Sequence, residues 1–554
     1  MTNLKYLNSR RYALGIFLSA LVSTLQPIHA TWQPAEIVSN PAIQISHLNG
    51  PTLSVNPQGN AIAVWTDEGT STFPNESAIT SSFYTRGIGW SAPQVISSLA
   101  LNPFDKPLYT AQGDHDVRMN SSNYAVVAWE GEYSDEPFPS VIFGTVRQSN
   151  GAWGPVEILS EFNEDFLGKN PNVSVNDAGT AAVAYRKQDT APDSPPEYTM
   201  VTTLPLGGTW STPISISSAP EEAKGEGNSK PDIAINSSGD LVVVWYRRFP
   251  SNIYGIDAAT YNAATGTWSS SVTLDSIQGD NFGENPKCAI DEKGNAVAIW
   301  LNYENGTIRT AFFTKGSGWG PTLNLGNNAT DGPTVVMDPA GNATAIWPGN
   351  ALTRVIFSAY KPINGVWGAP EIISTGAANE VRPFQSQEPL AVSKQGNVIA
   401  VWNSDNGILY SAYRLFNQPW QDPEIVFSLP NQVLYESVGL ASCGFAVALW
   451  DHSSTDTVRA AVNENILTPF NTSHRTCRQT FASQRILLNI LNWNTSSKCC
   501  IRKFNIYCNG KLIGHAPSRG PNQFIYTKDC KLNCNYTITS INIWGFESDP
   551  VPFN

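Results

Sequence analysis

Hydrophobic and polar positions along this chain follow a period of two, not 3.6. In "NAIAVW" (60–65), Ala61, Ala63 and Trp65 alternate with Ile62 and Val64. Both sets are apolar or small, so the pattern predicts a strand buried on both faces. The phrase then repeats: "NPQGNAIAVW" (56–65) returns as "NSSGDLVVVW" (236–245), "DPAGNATAIW" (338–347) and "SKQGNVIAVW" (393–402). Eight occurrences close on Trp65, Trp129, Tyr185, Trp245, Trp300, Trp347, Trp402 and Trp450. A second phrase, "TWQPAEIVS" (31–39), alternates with the first and carries Trp32, Trp90, Trp153, Trp210, Trp268, Trp319, Trp367 and Trp420. The two phrases hold 15 of the 17 tryptophans, so a repeat of roughly 55 residues organises the chain.

One unit reads as four short strands, "PTLSVN" (51–56), "NAIAVWT" (60–66), "ITSSFYTR" (79–86) and "WSAPQVIS" (90–97), separated by turn-forming residues. Four strands per unit, covered on both faces by neighbouring units, predict the blade of a β-propeller. The opening turn has a geometric reason to persist. Asn56 suits its first position, Pro57 presets φ for the second, and Gly59 takes the left-handed conformation. The equivalent fourth residues are Asn123, Gly179, Gly239, Gly294, Gly341, Gly396 and Gly444, and asparagine is the next best residue at positive φ. The last unit ends near Asn465 without its own Trp-Pro strand, whereas one such strand, at Trp32, precedes every unit. Residues 32–39 are therefore expected to supply the outer strand of the final blade. The expected fold is all-β: an eight-bladed β-propeller, with seven blades as the alternative count, closed by an N-terminal strand and followed by a small Cys-rich β-sandwich.

The ends differ from the middle. Lys5, Arg10 and Arg11 precede an apolar run over residues 12–22 and a small-residue stretch up to Ala30. This reads as a signal peptide over 1–30 and is too short to span a membrane. The product is expected to be a secreted, periplasmic or cell-surface monomer. Net charge is −12 overall, but residues 1–30 carry +3 and residues 471–554 carry +7, which leaves −22 on residues 31–470. So acidic a body excludes nucleic acid as partner, because phosphate contacts need clustered Lys and Arg.

Carboxylates collect around long inter-strand segments in the first four units. The candidate binding set is Asp67, Glu68, Asp105, Asp114, Asp116, Glu130, Glu132, Tyr133, Asp135, Glu136, Phe138, Glu161, Glu164 and Asp165. Long acidic loops on one face, interleaved with aromatic residues, fit a protein or other cationic partner. No loop has the regular oxygen spacing of a calcium site. No cofactor, metal or catalytic residue is assigned, with Ca²⁺ among the carboxylates as the alternative.

From about Asn471 the repeat stops, and six of the eight cysteines follow: Cys477, Cys499, Cys500, Cys508, Cys530 and Cys534. In an exported chain these are disulfide candidates, and Cys530 with Cys534 could bridge one loop. Cys288 and Cys443 read as unpaired structural residues. "ILNWNTSS", "KFNIYCNGKLIG" and "NYTITSINIWGFESDPV" resemble a fibronectin type III module over roughly residues 475–554. That resemblance implies a core role for Trp493 and a tyrosine-corner region at Leu532 and Tyr536. The domains are thus 1–30, 31–470 and 471–554.

The repeated Asp-x-x-Gly turns loosely resemble those of sialidase- and lectin-like propellers. The sialidase box, however, is Ser-x-Asp-x-Gly-x-Thr-Trp, whereas "AIDEKGNAVAIW" separates Gly294 from Trp300 by six positions. The favoured reading is a non-enzymatic binding scaffold that uses its acidic loop face. A glycan-binding lectin or a sialidase-like glycoside hydrolase are the alternatives. Shallow, repeated aromatic pockets at equivalent blade positions would mark the lectin, and one deep axial pocket with paired carboxylates of raised pKa the hydrolase.

Overall fold

The computed structural model describes residues 32–47, 50–68, 77–97, 108–109, 114–133, 140–161, 166–189, 196–217, 221–222, 231–249, 253–278, 286–349, 354–375, 381, 388–429, 433–442, 444–464, 470–481, 484–495, 501–526, 534–542, 548 and 550–553. The expected leader at 1–30 lies outside them. Every regular element among the described residues is a strand.

Among the described residues up to 464, eight antiparallel sheets follow one another. Sheet I has Thr52–Val55, Ala61–Glu68 and Ala78–Thr85, with Gly89–Trp90 and Gln94–Val95 outside. Sheet II has His115–Met119, Ala125–Tyr133, Ser140–Arg147 and Glu157–Ile158. Sheet III has Phe166–Val175, Ala181–Asp189, Pro196–Leu204 and Ile214–Ser215. Sheet IV has Asp232–Ile235, Leu241–Phe249, Ile253–Asn262 and Val272–Gln278. Sheet V has Lys287–Ile290, Ala296–Asn302, Thr307–Thr314 and Leu323–Gly326. Sheet VI has Thr334–Met337, Ala343–Gly349, Val355–Lys361 and Glu371–Ile372. Sheet VII has Leu390–Val392, Val398–Asn403, Ile408–Arg414 and Glu424–Ser428. Sheet VIII has Val433–Leu440, Phe445–His452 and Thr457–Glu464, and its fourth strand is Glu36–Ile37, which pairs with Arg459 and Ala460.

The second strand of each sheet is buried on both sides because a neighbouring sheet lies against each face. Ile62 and Val64 of sheet I share an apolar layer with Val127 and Trp129 of sheet II. On the opposite face, Ala63 and Trp65 pack with Val447 and Leu449 of sheet VIII. First strands of consecutive sheets adjoin one another, and Val433–Leu440 adjoins Thr52–Val55. Sheets stacked face to face around their first strands are the architecture of a β-propeller.

The repeated turn phrase acts within and between sheets. Gly59 has φ +92° and Asn123 φ +65°, the left-handed region that the turn requires. The Asn56 carboxamide oxygen accepts from Gln58 N at 3.0 Å and Asn60 N at 3.0 Å. Its amide reaches the next sheet, donating to Asn123 Oδ1 at 2.7 Å. Likewise Asn120 Nδ2 donates to Asn176 O, Asn176 Nδ2 to Asn236 O and Asn236 Nδ2 to Asp291 O, at 3.1–3.2 Å. A turn residue chosen for backbone geometry thereby also ties sheet to sheet.

Beyond residue 470, the strands Phe470–Phe481, Gln484–Asn494 and Gln523–Tyr526 form one sheet. Lys511–Pro517, Ile501–Cys508, Tyr536–Asn542 and Val551–Pro552 form another. Leu491 and Trp493 of the first share one core with Phe504, Ile506, Tyr536 and Ile538 of the second. Cys534 bonds to Cys508, with the Cα atoms 5.6 Å apart. This corrects the expected Cys530–Cys534 bridge: Cys508 lies opposite Tyr536 on the neighbouring strand, which brings Cys534 beside it. Cys499, Cys500, Cys530, Cys443 and the Cys477 side chain lie outside the described residues. Cys288 is buried and free.

Candidate binding sites

The acidic set expected on one exposed face divides once folded. Asp67, Asp114, Asp116 and Glu130 are buried. Asp67 accepts from Trp65 Nε1 at 2.7 Å and Thr80 Oγ1 at 2.6 Å; burial raises its pKa against the pull of those two donors. Asp114 accepts from the Asn170 amide, and Glu130 from Ser140 Oγ at 3.0 Å. Asp116 accepts from Val117 N and Val173 N, each at 2.8 Å. These four carboxylates therefore act as hydrogen-bond acceptors inside the sheet layers. The strands run further than the pattern predicts, to Glu68 in sheet I and Tyr133 in sheet II, so acids at supposed loop starts lie within the sheet layers. Glu68 and Glu161 are exposed, and Glu161 pairs with Lys187. Glu132 and Tyr133 end a strand opposite Tyr109 and Leu108. Asp105, Asp135, Glu136, Phe138, Glu164 and Asp165 lie outside the described residues.

A second cluster was not legible, because four sheets contribute to it. Arg118 of sheet II bonds Asp116 at 2.7 Å and reaches Glu388, just ahead of the first strand of sheet VII. Lys287 of sheet V faces Asp232 of sheet IV at 3.4 Å. Asp232 also accepts from Cys288 N at 2.7 Å. Burial pushes Glu388 up to about 7 although Arg118 pulls it down, and burial likewise raises Asp116. Raised carboxylates gathered in one buried cluster invite an acid–base reading. Yet Asp116 is tied by two backbone N–H groups and Arg118, and Glu388 is tied by Arg118. These groups brace first strands that share no ladder with one another.

The third feature is a cleft of about 330 Å³ between sheets I and II. Phe83, Ile88 and Trp90 form one wall and Arg147, Gly151 and Trp153 the other, with Ser81, Thr85, Ser91 and Gln94 adding polar groups. Its origin lies in the repeat. At the seam between sheets VI and VII, the outer tryptophan Trp420 donates to Ser358 Oγ at 3.1 Å. Between VII and VIII, Trp32 donates to Ser411 Oγ at 2.8 Å. By strand register Ser81 occupies the position of Ser358 and Ser411. Trp153 and Ser81 nevertheless make no such bond, and both line the cleft instead.

Cation–aromatic contacts cross the seams as well. Arg147 lies 3.8 Å above the Phe83 ring, Lys361 4.0 Å above Phe312 and Arg414 4.4 Å above Tyr360. Each cation is at one register position and each aromatic at the position before it on the preceding sheet. Half-burial lowers the pKa of Arg147. Within sheets, Tyr84–Trp90, Tyr261–Trp268 and Phe313–Trp319 repeat a tilted ring pair with centroids 5.3–5.5 Å apart. The sequence held these residues in view as repeat tryptophans, but not the pairing across seams.

No protein-family model matches the chain, and no curated protein is similar to it. Among solved structures it is similar to a Hadza microbial sialidase, at 14 % identity and a TM-score of 0.38 over 63 % of this chain and 65 % of that one. The match thus spans less than two thirds of the sialidase. An ulvan lyase is similar at 10 % identity and a TM-score of 0.39, over 77 % of this chain and 96 % of that one. A variant of the Aleuria aurantia lectin, in complex with a fucose–N-acetylglucosamine disaccharide, is similar at 9 % identity and a TM-score of 0.34, over 60 % and 98 %. Likeness of this grade identifies no activity. No helix among the described residues is long and apolar enough to cross a membrane.

Proposed function

We propose that this protein is an exported, non-enzymatic glycan-binding protein and that the cleft between sheets I and II holds a sugar ring. Its body is read as an eight-bladed propeller over 31–470, closed by the pairing of Glu36–Ile37 with Thr457–Glu464. The leader is 1–30, and the two sheets beyond 470 are read as a fibronectin type III-like module. One observation carries the binding assignment. Where two equivalent seams, VI–VII and VII–VIII, are latched by a tryptophan–serine hydrogen bond, the seam at Trp153 and Ser81 stands open between aromatic walls. Apolar walls with a few convergent polar groups are what a small-ligand site requires. Trp90 and Trp153 offer flat faces to C–H bonds, while Ser81, Thr85 and Gln94 offer partners to hydroxyls. The lectin alternative therefore outranks the acidic-face scaffold, whose described carboxylates are mostly internal.

The test is a glycan-array screen of residues 31–554 beside Trp153→Ala. The wild type should retain a defined set of glycans, and the variant should lose them while keeping its unfolding midpoint within a few degrees. Retention of nothing by the wild type, or unchanged binding by Trp153→Ala, refutes the assignment.

A further inference from the structure

We propose that Arg147 makes this cleft selective for a sugar bearing a carboxylate, such as a hexuronic acid. The inference rests on the glycan reading of the same cleft and narrows it to one ligand class.

Charge pairing elsewhere supplies the argument. Arg118, Arg186, Arg247, Arg309 and Arg354 each form an ion pair with an Asp or Glu. Arg147 forms none among the described residues. Its contacts are the face of Phe83 and the Asn123 carbonyl, to which Nη1 donates at 3.3 Å. Lys361 and Arg414 hold the equivalent position at other seams, and Arg414 is engaged by Thr344 Oγ1. Arg147 is the one that borders the open cleft. A partly desolvated guanidinium without an anion is costly, and a carboxylate arriving with the ligand supplies the missing counter-charge. The planar fork of a guanidinium also matches a carboxylate with two parallel hydrogen bonds. Trp153 meanwhile provides a face for the ring that carries it. The acidic body does not override this local preference, because charges more than about 8 Å away are largely screened at physiological ionic strength.

The experiment is isothermal titration of residues 31–554 with methyl β-glucuronide, methyl β-glucoside and a sulfated methyl glucoside. The glucuronide should bind about tenfold more tightly than the glucoside, as a charge-assisted pair requires. Arg147→Met should bring the two affinities together. Arg147→Lys, which keeps the charge and the stem but not the fork, should retain only part of the preference and guards against a misfolded methionine variant. Equal wild-type affinities for glucuronide and glucoside overturn the selectivity while leaving the glycan reading intact. A ratio unchanged in Arg147→Met overturns the role of Arg147. Tighter binding of the sulfated sugar than of the glucuronide overturns the carboxylate assignment, and binding of none of the three overturns the cleft reading itself.

Discussion

Replacing Asp451 with asparagine should stabilise the protein at neutral pH and do almost nothing in acid. Asp451 is the penultimate residue of the second strand of sheet VIII, with its side chain fully buried. Oδ2 meets His47 Nδ1 at 2.6 Å, and Oδ1 has no hydrogen-bond partner among the described residues. His47 Nε2 meets Asp456 Oδ1 at 2.9 Å. His47 follows the segment that runs from the fourth strand of sheet VIII into sheet I, so the clasp ties that segment to sheet VIII. Burial raises Asp451 from 3.8 to about 6, against the opposing pull of His47.

The folded state therefore holds a proton between those two values that the unfolded chain has lost, and stability falls as pH rises through them. The size follows at about 1.4 kcal/mol per tenfold, or about 3 kcal/mol in all. His47 acts in the same direction. Burial depresses its pKa, but Asp451 and Asp456 more than compensate, so its net shift is upward. The stability it contributes is complete below 6.5 and fades as pH climbs through its raised value. Asparagine does not titrate. The stability of Asp451→Asn minus that of the wild type should thus grow by about 3 kcal/mol between about pH 4 and pH 7. Urea unfolding followed by tryptophan fluorescence at pH 4, 5, 6 and 7 measures this directly, provided the denaturant slope is the same for both proteins. Two stability curves that stay parallel, within about 0.5 kcal/mol, would refute the reasoning.

Arg118→Met should cost about 3 kcal/mol, because it leaves Asp116 and Glu388 without their shared cation. The loss should be larger at pH 8 than at pH 6, since Glu388 already stands at about 7 with the arginine present; equal losses in thermal unfolding at the two values would count against it. Asn123→Gly should destabilise despite easing a positive φ: the carboxamide accepts from Asn56 at 2.7 Å and from Asn60 at 2.9 Å. Two hydrogen bonds outweigh the backbone relief by about 1 kcal/mol, and a neutral or stabilising result in urea unfolding would show that these inter-sheet ties carry no net stability.

The strand plan was readable because each unit repeats the same local code. Alternation to Trp65 or Trp245 specifies a strand buried on both faces, and Gly59, Gly179 and Asn123 mark turns whose φ only such residues adopt readily. The candidate sites were less readable, for a physical reason. Asp67, Asp114, Asp116 and Glu130 stand in acidic stretches that resemble solvent-facing loops, yet they satisfy donors on other strands. Whether a carboxylate faces water or an indole N–H depends on where the strand stops, and strand ends respond to pairing partners rather than to local preference.

By itself, then, the order of residues determined the repeat, the strands within it, the turns between them and the change of character near residue 471. Tertiary structure decided what lies across a seam. Arg118 meets Glu388 from 270 positions away, and Ser81 stands apart from Trp153 while Ser411 bonds Trp32. Local spacing governs backbone conformation through short-range sterics. Which side chains share a cleft is governed instead by the stacking of whole sheets, and that depends on every sheet at once.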